Sequence, residues 1–222
     1  MRHQRPNSQT LREGSRRSSG RVDVRVVLGI VAVVAIGAGL WVWLKPTPVA
    51  PGILFIGDSV TYMSTEELDG QLEAESPIVV ARVGATASDM LPLFEQAADK
   101  RVKEDDPLDQ VAILIGYNDV LKDQVDDPTL GAFMDEANRF QCAVWLTLPD
   151  VPLRVDQVEV WNKRVTEAAK DRPNVHVVDD WREAVGSAEP GEITTRKDGV
   201  HPTPAGAKRL VEIYTDAVHR VC

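Results

Sequence analysis

Apolar residues fall along this chain in two rhythms. From residue 53 onward, short apolar runs at 53–56, 78–83, 111–115, 143–148 and 175–178 are bounded by polar or turn-forming residues. Runs of this length, rich in Val and Ile, predict strands buried on both faces. Between them, residues 88–103, 129–140 and 155–171 place apolar side chains three and four apart, the spacing of an amphipathic helix. A last helix over 203–221 has a clear start, because Thr203 can cap its free amides and Pro204 suits the first helical position. Strands alternating with helices predict an α/β fold with a five-stranded parallel sheet. No internal repeat interrupts the pattern.

The N-terminal part reads differently. Residues 26–44 form a run of nineteen uncharged, mostly apolar positions, which as a helix would rise ~28 Å, about one hydrocarbon core. Seven arginines against Glu13 and Asp23 precede it, while Lys45 is the one cation that directly follows, beside Trp41 and Trp43. Such a charge bias predicts a single transmembrane helix with a cytoplasmic N-terminus and the rest of the chain outside the cytoplasm. A cleavable signal peptide is the rival, but its apolar region is shorter and ends at a small-x-small site, where Trp, Leu and Lys stand here. The arm 1–25 is polar and predicted to be disordered. Residues 45–52, with Pro46, Pro48 and Pro51, predict a stiff tether, leaving 53–222 as one globular domain at the cell membrane.

Charge then narrows the partners. The 222-residue chain carries a net −9, and removing the arm's +5 leaves −14 on residues 26–222. So acidic a body excludes nucleic-acid backbone binding, and the basic arm reads as a topology signal attracted to anionic lipid heads.

In an open parallel sheet, ligands bind beyond the carboxyl ends of the strands. The first strand runs into Gly57-Asp58-Ser59, where Gly57 permits a sharp turn and Ser59 opens a helix. The second is followed by Gly84, whose amide can approach a ligand closely. After the third come Gly116-Tyr117-Asn118-Asp119, offering the Asn118 side-chain amide, with Asp119 as local scaffolding. Near the C-terminus, Asp198-Gly199-Val200-His201 sets a carboxylate three residues from an imidazole. Each feature alone also fits an ordinary turn. His3, His176 and His219 lack such a setting and read as a solvated tail, a strand filler and a surface residue.

Taken together, the order Ser59, Gly84, Asn118, then Asp198-x-x-His201 resembles the SGNH (GDSL-type) hydrolases over about residues 53–220, with Val60 where the GDSL name implies Leu. The resemblance implies a flavodoxin-like three-layer α/β/α sandwich. It implies a triad of Ser59, His201 and Asp198, and an oxyanion hole formed by Ser59, Gly84 and Asn118. The G-x-S-x-G elbow of ordinary α/β-hydrolases is missing.

The implied activity is a serine esterase acting on acyl esters, with O-acyl groups on cell-envelope glycans or lipids as substrates. His201 takes the Ser59 proton during attack and returns it to the leaving alcohol. That chemistry needs no cofactor and no metal, and no His-x-x-x-His or Cys-x-x-Cys spacing points to one. Two alternatives share the site: an O-acyltransferase using the same serine, and a catalytically silent envelope-binding module. The loop 147–154 after the fourth strand reads either as part of the substrate pocket or as a plain rigid turn.

Cys142 and Cys222 are the only cysteines. Cys142 lies just before the fourth strand and Cys222 at the end of the last helix, so a parallel topology brings both to the edge opposite the site. They are a candidate disulfide in an oxidising compartment, against a buried Cys142 and a frayed Cys222.

Overall fold

The computed structural model describes residues 52–72, 77–103 and 109–222. The expected arm and transmembrane segment lie outside them, as does all of the tether but Gly52. Among the described residues no helix is long and apolar enough to cross a membrane.

Five strands form one sheet: β1 (Ile53–Gly57), β2 (Ile78–Ala81), β3 (Gln110–Leu114), β4 (Cys142–Leu146) and β5 (Val175–Val178). Their order is β2-β1-β3-β4-β5, and every neighbouring pair is parallel. The register sets Phe55 of β1 between Val79 and Ala112, and Trp145 of β4 between Ile113 and Val177. The central strands β1 and β4 are buried along their whole length, whereas edge strand β2 is only partly covered. This gradient follows from helices lying on both faces.

The helices are α1 (Ser59–Met63), α2 (Thr65–Gln71), α3 (Ala87–Lys103), α4 (Tyr117–Leu121), α5 (Thr129–Ala137), α6 (Val155–Ala169), α7 (Asp180–Ser187) and α8 (Pro204–Val221). On one face, α3 packs on α5 and α5 on α6; on the other, α2 and α7 flank α8. Aromatic rings stitch each layer to the sheet. Phe133 of α5 meets Trp145 edge-on at 5.5 Å and Phe94 of α3 at 5.1 Å, while Phe55 of β1 meets Tyr214 of α8 at 5.2 Å. Large buried rings of this kind dominate core energetics.

Two strands are shorter than the apolar pattern predicts. β2 leaves the sheet after Ala81, since the Arg82 amide makes a last bond to the Gly57 carbonyl and Val83 is 61% exposed at the rim. β4 stops before Leu148 because the Asn162 side chain satisfies both the amide and the carbonyl of that residue, at 2.9 and 2.8 Å. The start of α8 is as the sequence indicates: the Thr203 hydroxyl accepts from the Gly206 amide at 3.0 Å and Pro204 opens the helix.

The chain runs outward from β1 to β2 and then crosses back to β3, so the strand order reverses between β1 and β3. A crevice forms where the loops diverge at such a point. α1 and α4 start at its two sides.

At the opposite edge Cys142 and Cys222 are joined by a disulfide, with Cα atoms 5.7 Å apart and 80 positions between them in sequence.

Candidate active site

The Ser59 side of the crevice begins at Gly57. A β-carbon there would lie 2.0 Å from Thr61 Oγ1 and 2.7 Å from the Leu114 carbonyl, so only glycine lets the chain turn between β1 and β3. Asp58 then caps α1, its Oδ1 accepting from the Val60 amide at 3.0 Å. Burial pushes the Asp58 carboxyl up to about 7, against the Val60 hydrogen bond that favours the anion. Ser59 is the first residue of α1 and is 5% exposed.

His201 reaches it from the other end of the domain. Its Nε2 lies 3.0 Å from Ser59 Oγ, and its Nδ1 lies 2.8 Å from Asp198 Oδ2. An Nδ1–H donated to the carboxylate leaves Nε2 as the acceptor for the serine proton.

The loop holding this pair is itself braced. The Thr195 amide donates to the His201 carbonyl at 2.8 Å, Thr194 bridges Pro202, and Gly199 takes a left-handed φ of 68°. Asp198 Oδ1 accepts from the Thr195 hydroxyl at 2.8 Å and from the amides of Val200 and His201 at 2.9 and 3.0 Å. Partial burial favours the protonated carboxyl. The hydrogen bonds from His201, the two amides and Thr195 outweigh it and hold Asp198 well below the usual carboxylate range. Asp198 is therefore a fixed anion behind the imidazole.

Across the crevice, α4 clamps the turn after β2 at three points. Asn118 Nδ2 donates to the Ala85 carbonyl at 3.0 Å, Lys122 Nζ to the Gly84 carbonyl at 2.9 Å, and the Ala87 amide to the Asp119 carboxylate at 3.1 Å. Gly84 has a φ of 74°, which glycine adopts without strain. An Asn amide carries two N–H donors, so Asn118 keeps one for another acceptor. Asp119 is scaffolding, and burial pushes its carboxyl up to about 6 while the Ala87 amide opposes that. The start of α4 needs Gly116, whose φ is 126° and whose β-carbon would lie 2.2 Å from Trp161 Nε1.

The structure thus joins Ser59, His201 and Asp198 in one hydrogen-bonded chain and sets Gly84 and Asn118 just past β2 and β3, the two strands that flank β1. His176 sits half-buried in β5 and His219 is exposed on α8. Sequence reasoning missed Thr195 and Lys122. A Thr three residues before Asp198 is the only linear hint of the first, and the second gives none. Chemically, the arrangement suits removal of the Ser59 proton, attack by its oxygen, and donation of amide hydrogens to an oxygen in the crevice.

Comparisons with known proteins agree with this fold. A GDSL-like lipase from Bacteroides thetaiotaomicron superposes with a TM-score of 0.60 at 18% identity, over 80% of this chain and 92% of its own. The C-terminal catalytic domain of peptidoglycan O-acetyltransferase A from Streptococcus pneumoniae, solved with a methylsulfonyl adduct, gives 0.54 at 19% over 78% and 92%. Esterase EstA from Pseudoalteromonas, inhibited by monoethylphosphonate, gives 0.53 at 14% over 77% and 97%. These likenesses establish the fold. Comparison with curated proteins gives no sequence match. The sequence profile of the GDSL-like Lipase/Acylhydrolase family matches residues 55–209. That span is well over half of the chain and runs from β1 into α8, so the protein belongs to the GDSL-like Lipase/Acylhydrolase family and is an ester hydrolase.

Proposed function

We propose that the protein is a serine esterase in which Ser59, His201 and Asp198 form the catalytic triad. The observation that carries this reading is the unbroken chain from Asp198 Oδ2 through both nitrogens of His201 to Ser59 Oγ, at 2.8 and 3.0 Å. Ser59 Oγ attacks the ester carbonyl while His201 Nε2 takes its proton. The amides of Ser59 and Gly84 and the free N–H of Asn118 stabilise the oxyanion. His201 then protonates the departing alcohol, and water resolves the acyl-enzyme by the same route. A phosphonylating reagent tests this: the full-length protein should gain one adduct, on Ser59, and lose p-nitrophenyl acetate hydrolysis in step. Labelling elsewhere with full loss of activity would refute it.

An O-acyltransferase is the second reading. It is favoured by the shared fold with a peptidoglycan O-acetyltransferase domain. Both reactions pass through one acyl-enzyme and differ in whether water or a sugar hydroxyl attacks it. Product analysis with an acetyl donor and a glycan acceptor separates them.

The sequence of residues 1–52 supports a single-pass membrane anchor with a cytoplasmic arm and a short tether. Under this reading the domain is extracytoplasmic, and O-acyl groups on cell-envelope glycans or lipids are the esters within reach. Alkaline extraction of membranes tests the anchor: the full-length protein should stay in the pellet.

A further inference from the structure

Residues 151–154, just after β4, form a tight turn closed by a 2.9 Å hydrogen bond from the Arg154 amide to the Val151 carbonyl. Pro152 and Leu153 are its corners. Leu153 has a φ of 64°, and turns of this kind normally place Gly or Asn there, since a β-carbon is disfavoured in left-handed backbone. Only one other non-glycine residue among those described is left-handed, Asp123. The two are linked: Arg154 donates to the Asp123 carboxylate and, at 3.4 Å, to the Leu121 carbonyl.

The turn therefore bridges the site. On one side Pro152 abuts the acid-base loop, where a β-carbon on Gly199 would lie 3.0 Å from Pro152 Cδ. On the other, Arg154 is tied to the end of α4, the helix that carries Asn118. Leu153 is held between them at the carboxyl edge of the sheet and is 99% exposed. Folding gains nothing from this residue, because its side chain buries no surface and its backbone is the wrong one for Leu. Strained residues that the surrounding structure holds in place concentrate at functional sites.

We infer that Leu153 is a specificity-determining residue that contacts the apolar chain of the bound ester at the mouth of the site. The inference rests on the esterase reading above. An apolar chain can arrive on the acyl or on the alcohol part of the ester, and Leu153 offers either a surface to leave water against. A methylene moved from water into apolar contact gains about fourfold.

The test compares full-length wild type with Leu153→Asn and Leu153→Gly on two ester series. One runs from p-nitrophenyl acetate to hexanoate, and the other from methyl to hexyl acetate. The long-to-short ratio of kcat/KM should fall about tenfold in one series, which identifies the chain that Leu153 touches. Both substitutions suit the turn, so melting temperatures should not drop; a fall in melting temperature with unchanged ratios would make Leu153 structural and overturn the inference. Unchanged ratios in both series, with wild-type turnover abolished by Ser59→Ala, would overturn it and leave the esterase reading standing. Wild-type activity in Ser59→Ala would instead remove the esterase reading and this inference with it.

Discussion

Ser59 Oγ and His201 Nε2 lie 3.0 Å apart although 142 positions separate the two residues. One opens the helix after the first strand, and the other sits in the last loop before the final helix. Ser59→Ala or His201→Ala should lower kcat for p-nitrophenyl acetate by about 10³-fold or more, because each leaves no activated nucleophile. Their urea midpoints should stay close to wild type, and turnover within tenfold of wild type in either variant would count against the triad.

Asn118 should act only once charge develops. Asn118→Ala removes the donor facing the crevice together with the bond to the Ala85 carbonyl. A drop in kcat of about 10²–10³ with KM nearly constant is expected, the behaviour of an oxyanion donor. A rise in KM at constant kcat would assign Asn118 to substrate binding instead.

Asp58 makes stability depend on pH in an unusual direction. Its folded-state value of about 7 stands above the ordinary 3.8, so the folded protein holds this proton while the unfolded chain has lost it. Folding is then favoured below about pH 4, and that contribution is lost as the pH rises to about 7, on the order of 4 kcal/mol at most. Asp119, pushed up to about 6, adds to the same trend. Asp58→Asn keeps an acceptor for the Val60 amide and cannot ionise. Its stability relative to wild type, measured by urea unfolding, should improve between pH 5 and pH 8. A difference that stays constant over this range would show that Asp58 is already ionised in the folded state at pH 5, so that burial does not hold its proton.

The disulfide should matter for stability and leave catalysis untouched. Thiol titration of the denatured, unreduced protein should find no free thiol. Cys142→Ser/Cys222→Ser should melt at a lower temperature, with up to about 4.5 kcal/mol lost on the loop-entropy estimate. Its kcat should match wild type, because the bridge lies at the edge of the sheet away from Ser59.

Much of this was legible in the linear pattern. The five strands, α3, α6 and α8 carry enough apolar residues in pattern to declare themselves; Ser59 and Asn118 stand just past strand ends, and His201 was marked by the carboxylate three residues before it. Of α1 only the start at Ser59 was indicated, and α4 did not show, because five residues make little more than one turn and carry no period. α1 is held by the Asp58 cap, and α4 by Gly116 packed against Trp161, a residue 45 positions further on in a different helix. The clamp from Lys122 to Gly84 was equally hidden, since an exposed lysine looks the same in sequence whether it points to water or to a carbonyl. Contacts between distant segments are settled by packing, and a one-dimensional pattern does not encode them.

The bond between Cys142 and Cys222 also closes the chain into a covalent ring. Asp198 and His201 lie inside that ring, as does the exposed corner at Leu153, while Ser59 and Asn118 lie on the strand leading into it. A protease that nicks the Leu153 turn would cut the ring once without releasing a fragment. The segment bearing His201 would stay covalently attached to the segment bearing Ser59, and the packed β4 and α8 would hold both in place. A single cut at that exposed turn would leave one continuous covalent molecule.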